Sequence, residues 1–341
     1  MFRRRTRTPP FREADGRPTA ASIAEAGYLD IGGVDQWVMI RGRRLENPLL
    51  VVLHGGPGSP ETALLRAVNA ELENAYTVVY WEQRGAGRSY HPTIDPASMT
   101  LDRFLDDLDQ LVDVLLDRFG RPRLALLGHS WGSLLGIAYA ARRPAKISAY
   151  VGVCQVADMA RSEAASYAFT LAEAERSGRA SALRALRAIG PPPYADLRAA
   201  GVQRRWLAAL GGVTGPGFSI PGLILKAALT PEASLSGLIR LVQGSLFSLR
   251  RMEAELAEAK PAAWFRRFAV PIFFILGRRD NQVAATVSAE YFAAIEAPHK
   301  ALFWLERSGH LAPFEEPAAF NRIMIDVVAP HAMAEVAAPR E

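Results

Sequence analysis

The chain has 341 residues, half of them hydrophobic and 22% charged, the composition of a globular protein with enough chain for a large core. Its formal net charge of +5 is modest, and without a basic helix carrying interleaved aromatics, or any nucleic-acid motif, it makes no case for a nucleic-acid partner. No segment reaches the roughly 18 consecutive apolar residues of a membrane span, and a lone cysteine, Cys154, excludes an internal disulfide and fits a reducing cytoplasm.

Residues 1–20 read as a disordered basic tail. Six arginines (Arg3, Arg4, Arg5, Arg7, Arg12, Arg17) face only Glu13 and Asp15, a net +4. No apolar stretch follows them, as a secretory or twin-arginine signal requires. Weak attraction to anionic lipid is the other reading of such a tail. The first ordered stretch is YLDIGGVDQWVMIRG at 28–42, a hairpin turning at Gly32-Gly33.

Five apolar runs follow that read as strands. They are 49–53 (LLVVL), 77–81 (TVVYW), 124–127 (LALL), 271–277 (PIFFILG) and 301–306 (ALFWLE). Continuous apolar runs suit strands buried on both faces of a parallel sheet. Each ends in glycine or polar residues, and in open parallel sheets that edge is where sites are built. Between them, residues 101–119 place Leu101, Phe104, Leu105, Leu108, Leu111, Val112, Leu115, Leu116 and Phe119 at helical spacing. The aspartates of this stretch (102, 106, 107, 109, 113, 117) are expected on its solvated face rather than around a metal. Gly120 and Pro122 end the helix.

This alternation implies right-handed βαβ units and a mostly parallel α/β sheet with helices on both faces. It breaks between residues 155 and 265, which lack strand-like runs. Helices are expected there at 160–176, 179–189 and 232–250, and loops at 191–194 and 211–222. The expected organisation is therefore a core of 21–154 and 266–335, interrupted by a helical cap at 155–265. The cap has thirteen basic and nine acidic residues, net +4. Cys154 lies in the apolar run YVGVCQV and reads as a small buried hydrophobe.

Gly128-His129-Ser130-Trp131-Gly132 fits G-x-S-x-G between the strand LALL and the helix WGSLLGIAYAARRP. A serine on a sharp strand-to-helix turn needs glycines two residues before and after it, because a β-carbon there would strike a neighbouring element. Ser130 is thus the candidate nucleophile; the plainer alternative is a helix N-cap. A nucleophilic serine needs a base. Of six histidines, His310 alone follows a strand end with a glycine immediately before it. His129 is inside the turn, His54 is expected to prop a loop, and His91 and His299 lie in polar connections. His331 is expected beyond the last helix. The acid that orients the base is Asp280, after PIFFILG, with Asp158 as rival. The order Ser130, Asp280, His310 is that of the α/β-hydrolases. His54-Gly55-Gly56-Pro57-Gly58 ends the 49–53 strand. It can supply one oxyanion N–H from Gly55 or Gly56, the other coming from Trp131. The loop has no Lys-Ser/Thr after its glycines and no G-x-G-x-x-G, so it does not read as a phosphate loop. No ligand spacing for a metal and no organic cofactor is implied.

Together HGGPG, WEQRGAGRS (81–89), GHSWGS, GRRD and SGH resemble the proline iminopeptidase branch of the α/β-hydrolases, over roughly residues 28–154 and 266–330. The resemblance implies that Ser130, Asp280 and His310 are the triad, and Trp131 with Gly55 or Gly56 the oxyanion hole. Two positions depart from the family's usual pattern: Glu82 replaces an aspartate before QRG, and His129 replaces a glycine before the nucleophile. Both imply a side branch. Peptidases of this family hold a free amine with cap glutamates; the candidates here are Glu163, Glu173, Glu175 and Glu232. A small-molecule or short-peptide substrate is expected. The expected activity is an aminopeptidase or amidase on small N-terminal residues. The alternatives are a carboxylesterase or lactonase with the same triad, and a non-hydrolytic binding protein on the same fold.

Overall fold

The computed structural model describes residues 1–333. Its strands are β1 (Arg4–Thr6), β2 (Ile23–Ile31), β3 (Val34–Gly42), β4 (Leu49–Leu53), β5 (Thr77–Trp81), β6 (Leu124–His129), β7 (Ile147–Val153), β8 (Ile272–Gly277) and β9 (Lys300–Leu305). They form one sheet in the order β1-β2-β3-β5-β4-β6-β7-β8-β9. All pairings from β5 to β9 are parallel, while β1, β2 and β3 join antiparallel at one edge.

Helices α1 (Thr62–Val68) and α2 (Leu72–Ala75) connect β4 to β5. Helix α3 (Leu101–Phe119) connects β5 to β6, and α4 (Trp131–Arg142) connects β6 to β7. Six helices lie between β7 and β8: α5 (Met159–Arg176), α6 (Ala180–Ile189), α7 (Leu197–Ala209), α8 (Ile220–Ala228), α9 (Leu235–Ala257) and α10 (Pro261–Trp264). Helix α11 (Ala285–Ala294) joins β8 to β9, and α12 (Ala312–Glu315), α13 (Pro317–Arg322) and α14 (Ala329–Met333) follow.

The strands are apolar without interruption because each of their faces is a core. In β4, Leu49, Val51 and Leu53 pack with Phe104 and Leu108 of α3, Leu134 of α4 and Tyr291 of α11. The alternate residues Leu50 and Val52 pack on the opposite face with Leu65, Leu72, Phe314 and Phe320. The period-2 alternation of strand side chains thus divides one apolar run between two cores. The hairpin turns where expected: Gly32 and Gly33 have φ of 58° and 76°, the pair of positive values a two-residue primed turn requires. Its first strand begins at Ile23, earlier than the expected 28.

The basic N-terminal segment is not a loose tail. Arg4–Thr6 pair with Ala26–Tyr28 as the edge strand, and Arg3 N–H donates to the Tyr28 carbonyl at 2.8 Å. The Trp37 indole donates to Thr6 Oγ1 at 3.1 Å, and buried Arg41 donates to Thr8 Oγ1 and the Pro9 carbonyl, both at 2.6 Å. The outer edge of β2 offers unpaired backbone groups, and the segment satisfies them. Composition could not reveal this, because the segment is held by backbone and hydroxyl hydrogen bonds, by Arg3 beside Asp30 and Asp35, and by Arg4 over the Tyr28 ring, all partners that only the fold brings near.

Asp107 also departs from expectation. It is fully buried, not solvated, and accepts from Arg84 Nε and Nη2 at 2.8 and 2.9 Å and from Gln36 at 2.7 Å. It lies three residues after Phe104 and four before Leu111, so helical spacing carries it to the packed side. Helix α8 starts inside the expected 211–222 loop, with Ser219 accepting from Gly222 N–H as its N-cap. His331 lies within α14, where its ring sits 4.4 Å from that of His299.

Candidate active site

The order of the parallel strands reverses at β4. The chain moves from β4 outward to β5, then crosses back to β6 on the other side of β4. At such a switch point the two neighbouring loops diverge and leave a crevice at the carboxyl ends of the strands. His54-Gly55-Gly56 leaves β4 into this crevice, and Ser130 leaves β6. Asp280 and His310 follow β8 and β9 along the same edge.

Ser130 has φ 53° and ψ −118°, a left-handed backbone rare for a residue with a β-carbon. The turn is tight enough that a β-carbon on Gly128 would collide with Gly132, and one on Gly132 with the Leu53 carbonyl. Both glycines are therefore needed by the close approach of β6, α4 and β4. The strained turn holds the Ser130 hydroxyl at the start of α4, beside the cavity.

His310 Nε2 lies 3.0 Å from Ser130 Oγ, and His310 Nδ1 lies 2.8 Å from Asp280 Oδ2. With Nδ1–H donating to the carboxylate, Nε2 is free to accept from the serine hydroxyl. The other oxygen, Asp280 Oδ1, accepts from the Gln282 and Val283 N–H groups at 2.9 and 3.0 Å. The His310 backbone N–H donates to the Val213 carbonyl at 2.6 Å, so the segment between β7 and β8 anchors His310. All three side chains are buried, with Ser130 keeping 8% exposure toward the cavity. Asp158 stands apart: it caps α5, accepting from Arg161 N–H at 3.0 Å.

Gly55, Gly56 and Trp131 line the same cavity, whose volume is about 460 Å³. A β-carbon on Gly55 would sit 3.5 Å from Ser130 Cβ, so this backbone lies against the Ser130 side chain. Trp131 is the first residue of α4, where a helix N–H has no intrahelical acceptor. The Trp131 indole donates to Gln83 Oε1 at 2.9 Å. Gln83 N–H in turn donates to His54 Nε2 at 3.1 Å, while His54 Nδ1 faces the Gly55 carbonyl at 2.8 Å. Burial holds the His54 pKa below the ordinary imidazole value, so the ring is neutral and braces the glycine loop.

The sequence reading missed Glu61. Its Oε1 lies 2.6 Å from His129 Nδ1, and His129 Nε2 lies 2.8 Å from the His310 carbonyl. Burial opposes charge on His129, but Glu61 and the carbonyl outweigh it and raise its pKa. Both residues line the cavity. The signal available in the sequence was a histidine where the family has glycine, together with a carboxylate just past HGGPG. Glu82, the other departure, accepts from Arg88 N–H and Nη1, both at 2.5 Å.

None of the four cap glutamates lines the cavity. Glu163 is paired with Arg204, Glu173 with Arg176 and Glu175 with Arg187. Glu232 is buried beside Arg66 and Thr8. The cap contributes Met159, Val213, Leu246, Leu249, Leu256 and the paired Arg204. Among the described residues, His129, Cys154 and His310 offer donor atoms within 4.8 Å of one another. Both nitrogens of each histidine are already engaged in hydrogen bonds, and burial pushes the Cys154 thiol well up.

The profile of the α/β hydrolase fold family matches residues 48–189. A protein of Bacillus subtilis (strain 168) described as a probable aminopeptidase is 35% identical over 309 residues, covering 89% of this chain and 96% of that protein. A proline iminopeptidase of Saccharolobus solfataricus is 38% identical over 117 residues, 34% of this chain and 36% of its own length. Among solved structures, a proline iminopeptidase-related protein of Thermus thermophilus shares the fold with a TM-score of 0.61 at 21% identity, over 92% of this chain and 99% of that one.

Proposed function

Since the chain belongs to the α/β-hydrolase family, in its proline iminopeptidase-like branch, we propose that it is a serine aminopeptidase or amidase acting on small N-terminal residues through an acyl-enzyme. The observation that carries this reading is the hydrogen-bonded line Ser130–His310–Asp280 opening into a cavity. Ser130 Oγ attacks the substrate carbonyl while His310 Nε2 takes its proton. Asp280 stabilises the imidazolium so formed. The Trp131 and Gly55 or Gly56 N–H groups receive the oxyanion. His310 then returns the proton to the leaving amine, and a water deprotonated by His310 releases the acyl group. The buried lone thiol supports a cytoplasmic site of action.

Glu61 is the carboxylate that lines the cavity among the described residues, and in this reading it receives the substrate's ammonium. The mainly apolar lining from residues 155–265, whose polar members are Ser245 and the paired Arg204 and which holds no glutamate, favours a second reading: a carboxylesterase or lactonase using the same triad. The deciding experiment assays the native chain and Ser130→Ala on proline and alanine arylamides, their N-blocked forms and short-chain aryl esters. Hydrolysis confined to free-amine arylamides, and lost in Ser130→Ala, is expected. Activity on esters alone refutes the aminopeptidase reading.

A further inference from the structure

Helix α9 is amphipathic in the wrong sense. It turns Gly244 and Ser248 inward: a β-carbon on Gly244 would lie 2.6 Å from the Gly85 carbonyl, which Ser248 Oγ meets at 3.0 Å. Outward it presents Leu235, Leu238, Ile239 and Val242, a helical stripe in open solvent. The preceding helix α8 does the same with Ile224 and Leu225, and Leu229 and Leu235 at the turn between them are 78% and 77% exposed. An apolar face this extensive marks a contact with another surface.

The charges nearest the ridge are mostly basic, with Glu253 and Glu255 coming only towards the C-terminal end of α9. Lys226, Arg240, Arg250 and Arg251 are exposed on these helices. From Leu197 to Met252 the sole acidic residue is Glu232, which is buried. The N-terminal edge strand adds to this field. Arg5 and Arg7 border a groove together with Pro231, at the α8–α9 turn, and Thr8 Oγ1 donates to Glu232 at 3.2 Å. The ordered arginine arm is thus fastened beside the apolar ridge.

We infer that this face docks on an anionic lipid surface. Apolar side chains enter the interface while the lysine and arginines meet the headgroups, as on helices that lie in a membrane plane. A second copy of the chain fits less well. In a two-fold dimer the face would oppose itself, setting Lys226, Arg240, Arg250 and Arg251 against the same cations. Leu246 and Leu249 belong both to the exposed stripe and to the cavity's lining, so the docked face borders the cavity on one side.

The test is co-sedimentation of the full chain with vesicles of phosphatidylglycerol and phosphatidylcholine in equal parts, and with phosphatidylcholine alone. Binding to the anionic vesicles only, weakened by salt, is expected. Two sets of substitutions separate the contributions: Leu235→Glu with Leu238→Glu and Ile239→Glu, and Arg5→Ser with Arg7→Ser. Each set is expected to lower the vesicle-bound fraction about tenfold, with circular dichroism and arylamide or ester turnover in solution unchanged. The inference is overturned if the native chain stays in the supernatant with both vesicles, or if both variants bind as the native chain does. It is equally overturned if light scattering finds a native dimer that the leucine variant converts to monomer.

Discussion

The proton on His129 is held by two acceptors, the Glu61 carboxylate and the His310 carbonyl. A histidine whose pKa is raised on folding binds its proton more tightly in the native state than in the unfolded chain. The stability this contributes is complete below the ordinary value of 6.5 and is lost as pH rises through the raised native value. Glu61→Gln is therefore expected to cost about 2 kcal/mol in acid and less in alkali. Urea unfolding at about pH 5.5 and about pH 9 measures the difference, and an equal loss at both would refute it. The same substitution should raise KM for free-amine arylamides more than for aryl esters, if Glu61 receives the ammonium. For the proposed triad, Asp280→Asn should lower kcat by about four orders of magnitude, because the amide favours the wrong His310 tautomer. Ser130→Ala should lower it by about six. Pre-steady-state bursts with aryl esters would separate loss of acylation from loss of binding.

At the scale of elements, two joints hold the site in register. The β6–Ser130–α4 turn depends on Gly132 lying flush against the end of β4. Gly132→Ala is expected to destabilise the fold by about 3 kcal/mol, through overpacking where backbone rather than a flexible side chain must yield. A drop in the urea midpoint without a change in slope checks it. The second joint ties α3 to the loop after β5 through Asp107 and Arg84, 0% and 3% exposed. Asp107→Ala leaves a buried guanidinium without its counter-charge and should cost about 3–5 kcal/mol. The helical stripe of α3 was legible, whereas the burial of Asp107 was not. Its spacing from Phe104 and Leu111 pointed inward, and Arg103 four residues earlier is a local partner, but Arg84 and Gln36, which complete its shell, come from separate segments. The helix starts at Leu197 and Ile220 were marked by Asp196 and Ser219 at their N-caps, and these weak local signals were lost among Pro and Gly.

For the whole molecule, the sheet is completed by its N-terminal segment. Removing residues 1–10 strips the acceptors, Thr8 Oγ1 and the Pro9 carbonyl, from Arg41, which lies 3% exposed beside Glu73. Bonds to a buried charge of this kind contribute about 1.5–3 kcal/mol each. The truncated chain is expected to melt about 5 °C lower, as scanning calorimetry would read. Among the described residues no helix is long and apolar enough to cross a membrane.

Sequence alone determined whatever is periodic or strictly local. The continuous apolar runs declared strands with a core on each face, and their glycine and polar ends declared the edge where Ser130, Asp280 and His310 converge. A turn that admits no β-carbon at Gly128 and Gly132 leaves its mark directly in the residues that form it. Tertiary structure alone decided which polar groups meet across distant segments. Glu61 finds His129 across 68 positions, Thr8 finds Glu232 across 224, and the leucines of α9 face outward because Gly244 and Ser248 are the residues small enough to lie against Gly85. The physical reason is one of range: periodicity reports the environment each element needs, whereas a charge's partner depends on where the folded chain brings another element, and no spacing encodes that.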